Sequence, residues 1–256
     1  MAAQKKLIIG NWKMNLNVQE ASTYLHKLEA AMKVHRDVTV VITPTMLALQ
    51  PLSLQINRHK LKLAAQNFHW RDFGAITGEV SATQLRGLVT YALVGHSERR
   101  HMFGESTKDT REKVQAALRN HITPVLCIGE TKAERTNEET NDVLRDQLVG
   151  GLANVTSEEV DQVVIAYEPV WAIGTGNNAS PHDVEAAILT IRSQIRHLFG
   201  RDKAASVTVL YGGSITADSA ADYLALRGVD GLLVGGASLK LHEFTSIIEK
   251  AHSAAE

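Results

Sequence analysis

A single cysteine, Cys127, among 256 residues means that no disulfide can form within the chain, and a reducing compartment is the default setting. Long hydrophobic runs are also missing. Nothing approaches the ~20 apolar residues that a membrane-crossing helix needs, and MAAQKKLIIG offers three consecutive large apolar residues, too few for a secretory leader. A cytoplasmic location and no membrane partner are expected. Neither sign of charge is in excess, with 27 basic against 28 acidic residues, so a general electrostatic footprint for nucleic acid is absent. Aromatic residues make up 5% of the chain and are not interleaved with basic ones, which argues against base stacking. No Cys/His cluster, HExxH or DxDxDG spacing occurs, so neither a metal nor a cofactor is expected. Any anionic ligand must be held by a few local groups.

What the chain does have is a repeat. Short aliphatic runs recur as KLIIG (6–10), VTVVIT (38–43), LKLAAQ (61–66), YALVG (91–95), TPVLCIG (123–129), VVIAY (163–167), SVTVLY (206–211) and DGLLVG (230–235). They are near-continuously apolar, the mark of parallel strands buried on both faces. Helix-period stripes lie between them: Leu25, Leu28 and Met32; Leu144, Leu148 and Leu152; Val184, Ile188, Ile191, Ile195 and Leu198. Ser81 with Gln84, Ser106 with Asp109, Thr131 with Glu134 and Ser180 with Asp183 have the spacing of helix caps, and Pro181 sits where a first helical residue would. Eight β-then-α units, with no linker and no shift in composition, predict one α/β domain over residues 1–256. The expected fold is a (β/α)8 barrel, eight parallel strands inside an outer ring of helices. The alternative, a doubly wound open sheet, calls for a Gly-rich first turn, and GNWKMN is not one.

In such a barrel the chemistry sits on the loops that follow the strands. Those loops supply Lys13, His96 and Glu168 directly at strand ends. Each has a structural reading as well: a surface lysine, a hydrogen-bonded core histidine, a carboxylate paired with an arginine. Glu168, however, ends an apolar run beneath the segment PVWAIGTGNNA, and a carboxylate from which water is excluded gains basicity suited to proton abstraction. A helical turn starting at His96 would aim its amides at the imidazole and favour the neutral form. Two Gly-Gly turns, YGGSIT (211–216) and VGGASL (234–239), fall where barrels build a phosphate site from backbone N–H groups. The remaining histidines, His101, His121, His182, His197 and His242 among them, are assigned no role.

GNWKMN, GHSERR, CIGE, AYEPVWAIGTG, YGGS and VGGASL, in this order and at these separations, resemble the triosephosphate isomerase family over essentially the whole chain. The resemblance implies a TIM barrel enzyme of glycolysis and gluconeogenesis, an aldose-ketose isomerase. Its expected reaction interconverts dihydroxyacetone phosphate and D-glyceraldehyde 3-phosphate through an enediolate, without a cofactor. It implies that Glu168 shuttles the proton, His96 polarises the carbonyl as a neutral electrophile, Lys13 stabilises the enediolate and Asn11 lines the site. Asn11, Lys13, Gly174, Ser214, Gly235 and Gly236 match groups that bind substrate and its phosphate, and Glu98 matches an acid close by. Pro169, Val170, Trp171, Ala172, Ile173, Gly174, Thr175, Gly176, Asn177, Asn178 and Ala179 resemble the lid that closes over substrate and excludes water. The loop containing Thr77, Gly78 and Glu79 is implied to enter a second subunit near Asn11 and Lys13, making a homodimer. Four positions depart from the family pattern: Asn177-Asn178 replace Lys then Ser or Thr, Ile76 replaces an aromatic, and Phe73 is an unexpected apolar residue. Asn177-Asn178 are expected to alter lid opening and leave the catalytic residues intact.

Overall fold

A computed structural model describes residues 5–173 and 178–255. The eight runs form strands β1 (Lys6–Asn11), β2 (Val38–Thr43), β3 (Lys62–Ala65), β4 (Tyr91–Val94), β5 (Thr123–Ile128), β6 (Val164–Tyr167), β7 (Thr208–Tyr211) and β8 (Gly231–Val234). All neighbours pair in parallel, and β8 returns to β1 to close the barrel. The runs read as uniformly apolar because both faces of each strand are buried. Leu7, Ile9, Val41, Leu93, Val125 and Leu233 point into the barrel with the small Ala64, Cys127 and Ala166. Ile8, Ile42, Val94, Leu126 and Ile165 face outward into the layer shared with the helices. Alternation thus selects between two cores, and neither face needs a polar residue.

The closure has a steric condition. A Cβ built on Gly231 would lie 1.9 Å from the Leu7 carbonyl oxygen, so the β8–β1 seam requires glycine there. The helix starts follow the predicted chemistry. Ser81, Ser106, Thr131 and Ser180 each cap a helix, with the residue three positions later answering the cap backbone, and Pro181 opens the longest helix, Pro181–Phe199. Each such cap contributes about 1 kcal/mol. The stripes are buried as expected except at Leu198, which is 37% exposed. It lies in the last turn of that helix, beside the break at Gly200, where the buried face has already ended. The strands are also shorter than several of the runs, because the outermost apolar residues turn into loops at the barrel rim.

Candidate active site

Asn11 is the last residue of β1, and the chain behind it turns into the left-handed region at Lys13, with φ of 52°. That conformation costs a side-chain-bearing residue about 1–2 kcal/mol, and specific bonds hold it. The Asn11 Oδ1 accepts the Lys13 N–H at 3.1 Å, while the Gln66 amide donates to the carbonyls of Lys13 at 2.8 Å and Thr43 at 3.0 Å. Trp12, fully buried edge-on against Tyr24 at 5.2 Å, anchors the other side. Lys13 is thereby aimed across the barrel mouth, where its Nζ donates to Glu98 Oε1 at 2.5 Å.

The loop after β4 rests on a buried ion cluster. Glu105 accepts from Arg99 Nε and Lys113 Nζ, each at 2.6 Å, and from the Gly95 N–H at 3.0 Å; Lys113 also donates to Asn67. Gly95 has φ of 67°, and a Cβ there would lie 2.6 Å from Thr110, so the turn tolerates only glycine. On this base His96 caps the helix Ser97–Phe103, as the sequence predicts, with Nδ1 accepting the Glu98 N–H at 3.2 Å. An accepting Nδ1 places the ring proton on Nε2, and Nε2 lies 3.1 Å from Glu168 Oε1. The other oxygen, Oε2, accepts the Ser97 N–H at 3.1 Å.

Both partners are buried, and each changes the other's acidity. Burial by itself raises the Glu168 pKa, but the facing His96, the Ser97 amide and the Lys13 charge together hold it below the ordinary carboxylate value. The raised basicity expected from the sequence is therefore not found in this arrangement, because the carboxylate has partners that a reading of its own strand cannot show. Burial lowers the His96 pKa, and Glu168 with Glu98 behind it lifts it above the ordinary value. The amide at Nδ1 favours the neutral ring, as predicted. The opposing pull comes mainly from Glu168, with a smaller part from Glu98, and weakens if the Glu168 carboxylate turns away.

Glycines shape the seat of Glu168. A Cβ on Gly129 would meet the Glu168 carbonyl oxygen at 1.8 Å, and one on Gly212 would lie 3.0 Å from the Glu168 Cγ. Beyond the seat, Pro169 leads into the short turn Val170–Ala172. Trp171 Nε1 donates to Glu130 at 2.8 Å and the ring lies under Arg135 at 4.3 Å, while the Ala179 carbonyl accepts from the Tyr223 hydroxyl at 2.9 Å. Both described ends of the lid segment are thus tied to the barrel. Gly174, Thr175, Gly176 and Asn177 lie outside the described residues, and Asn178 is exposed.

Ser214 lies after β7, and Gly235 and Gly236 lie after β8, all at the same end of the barrel as Lys13. A Cβ on Gly235 would stand 3.6 Å from the Lys13 Cε, so that backbone is a direct neighbour of the lysine. Asn11, Lys13, Gln66, His96 and Glu98 line one cavity of about 200 Å³. Thr77, Gly78 and Glu79 project from the loop after β3 and are exposed. Asn11, Lys13, His96, Glu98, Ser214, Gly235 and Gly236 therefore gather at one mouth, Glu168 reaching the others through His96 and Ser97. Gln66, Ser97, Glu105, Lys113, Gly129 and Gly212 support the site without having been singled out in the sequence; the paired arginines of GHSERR are the only signal that a buried acid must be near. Among the described residues, His35, Asp37 and His252 could share an ion. Their two rings stack at 3.8 Å, at the far end of the barrel from Glu168, and they touch none of these groups.

Comparison with known proteins agrees with this geometry. The family model described as triosephosphate isomerase matches residues 6–251. The triosephosphate isomerase of Alkaliphilus oremlandii (strain OhILAs) is 42% identical over 247 residues, covering 96% of this chain and 99% of that protein. That of Carboxydothermus hydrogenoformans is 41% identical, covering 96% and 98%, and that of Clostridium perfringens (strain SM101 / Type A) is 39% identical, covering 94% and 98%. With a closed parallel barrel, matching motifs at its strand ends and relatives alike from end to end, the chain belongs to the triosephosphate isomerase family.

Proposed function

We propose that this chain, as one barrel domain over residues 1–256, interconverts dihydroxyacetone phosphate and D-glyceraldehyde 3-phosphate using the groups at the mouth of its barrel. The observation that carries the reading is the His96–Glu168 contact, a carboxylate and an Nε2–H facing each other at 3.1 Å across the barrel mouth, one after β4 and the other after β6. Substrate inserted between them presents a C–H to the carboxylate and its carbonyl oxygen to the imidazole. Glu168 takes the proton from one carbon and returns it to the next. His96 donates a hydrogen bond to the developing oxyanion from a ring whose other nitrogen is already satisfied by the Glu98 amide. Lys13 adds a positive charge on the same side, and Asn11 holds its backbone. Ser214, Gly235, Gly236 and Gly174 offer hydroxyl and amide donors to the phosphate, which needs no basic patch. The lid shuts out water that would compete for the enediolate.

A homodimer fits the exposed surface. Met14, Leu47, Phe73, Met102 and Phe103 are large apolar residues at 68–94% exposure, carried on the loops and first helices that follow the four consecutive strands β1 to β4. An apolar surface of that kind marks an interface, and the exposed Thr77 loop beside it suits the cavity at Asn11 and Lys13 in a second copy. A cytoplasmic setting is supported by the one buried thiol, and among the described residues no helix is long and apolar enough to cross a membrane. The test is an isomerase assay coupled to glycerol-3-phosphate dehydrogenase, with Glu168→Asp beside the parent. A folded parent without activity overturns the function, and equal activity in the variant overturns the role of Glu168.

A further inference from the structure

At the end of the barrel opposite Glu168, a second and larger cavity of about 580 Å³ opens among the segments that lead into β1, β2 and β3. It is bordered by six cations, Lys5, Lys33, Arg36, Arg58, Lys60 and Lys62, in a chain whose net charge is −1. Among the described residues, none of the six has a carboxylate within ion-pair distance; Lys60 and Arg58 bond only to the carbonyls of Glu29 and Gly87. The nearby acids have other partners, although Glu249 also feels the charge of Lys33. Glu29 accepts the Asn57 N–H at 2.7 Å, Asp37 pairs with His252 at 2.8 Å, and Glu249 pairs with His35 at 3.0 Å. The floor is apolar, formed by Met32, Val38, Val40, Leu61 and Ile248. Cations gathered around a concave, partly low-dielectric space raise a positive potential that favours a multiply charged anion.

We propose that this cavity is a binding site for a nucleoside polyphosphate, with the phosphates among the cations and the base on the apolar floor. The volume lies within the roughly 300–1,000 Å³ of small-molecule sites and exceeds what one phosphate fills. Arg36 and Arg58 have the planar fork suited to phosphate oxygens, and the lysines supply point charges around it. The site shares no residue with the catalytic mouth.

Titration calorimetry with ATP, inorganic tripolyphosphate and phosphatidylserine vesicles tests this on the parent, a Lys33→Glu/Arg36→Glu double variant, Lys60→Gln and Lys13→Ala. Saturable ATP binding is expected, weaker at higher salt, at least tenfold weaker in the double variant with unchanged isomerase kinetics, at least threefold weaker in Lys60→Gln, and retained in Lys13→Ala. Tripolyphosphate should bind more weakly than ATP, because it leaves the floor unused. No saturable binding, equal binding by the double variant and Lys60→Gln, or loss in Lys13→Ala overturns the site. Equal affinity for tripolyphosphate, or binding of vesicles without ATP binding, overturns the nucleotide.

Discussion

His96 Nε2 and Glu168 Oε1 stand 3.1 Å apart, and the second carboxylate oxygen is taken by the Ser97 N–H at the same distance. Both oxygens of the base are therefore occupied by donors of one loop. To reach a substrate carbon the carboxylate must leave at least the Ser97 amide, and its departure from the pair removes the foremost charge that lifts the His96 pKa. One movement then frees the base and returns the imidazole toward the neutral form that its capped Nδ1 favours.

Glu168→Asp should retract the carboxylate by one methylene while keeping its charge. A displacement of about 1 Å costs on the order of 100-fold in rate, so kcat should fall by about that factor with KM changed much less. Glu168→Gln removes the base altogether and should lose about 10²–10⁴-fold. Steady-state kinetics in both reaction directions check the pair; a fall confined to KM would mean that Glu168 only binds.

The contribution of Glu168 to the acid limb of kcat/KM for the free enzyme should lie below the ordinary glutamate value of about 4.3. Burial acts to raise the Glu168 pKa, and His96 is the foremost group opposing it. Replacing His96 with Gln should move the limb upward as well as lowering the rate. Profiles of parent and variant on the same substrate cancel the titration of the substrate phosphate, so the difference between them reports the carboxylate. An unmoved limb in the variant would remove His96 as the cause.

Much of this was legible in the chain itself. The barrel follows from eight buried runs and four correctly placed caps, because local periodicity and capping chemistry act over a few residues. Lys13, His96 and Glu168 follow from being polar groups at apolar strand ends. Glu105 and Lys113 were not legible: each is one charged residue on an ordinary helical stretch, and their meeting at 2.6 Å depends on how a helix docks. The lowered pKa of Glu168 is not legible for the same reason, since its nearest partner in sequence, Ser97, is 71 residues away.

Glu105→Gln leaves Lys113 and Arg99 without their buried anion. Breaking such a pair costs about 3–5 kcal/mol, which for a chain of this size is a melting temperature lower by about 6–20 °C. Burial raises the Glu105 pKa, but Lys113 and Arg99 outweigh it and hold it below the ordinary value. A depressed carboxylate pKa contributes stability above the unfolded value of about 4.3 that is lost as pH falls through the folded value. The gap between parent and variant in thermal melts should therefore be full at pH 7 and close under acid conditions.

Gly212→Ala should separate rate from stability. Its Cβ would stand 3.0 Å from the Glu168 Cγ, a flexible side-chain atom that can give way, whereas at Gly129 the neighbour is a backbone carbonyl at 1.8 Å. Gly212→Ala is expected to fold, to melt within a few degrees of the parent, and to lose about 10–100-fold in kcat by displacing the base. Gly129→Ala should fail mainly in stability. Paired melts and kinetics distinguish the two, and the reverse ranking would place the seat of Glu168 elsewhere.

Phe73, 90% exposed, stands on the same loop as Thr77. If a second copy covers that loop, a charge placed there is buried without a partner and costs several kcal/mol on each side of the interface. Phe73→Asp with Thr77→Asp should therefore convert a particle of twice 28.0 kDa into one of 28.0 kDa by light scattering on a sizing column. Activity should fall with it, by tenfold or more, because Lys13 keeps its left-handed backbone through Gln66 and Asn11 at the edge of the cavity the loop would fill. Dilution should reproduce the loss in the parent and high concentration should partly restore the variant. A monomeric variant with full activity would show that the mouth of one barrel is complete without its neighbour.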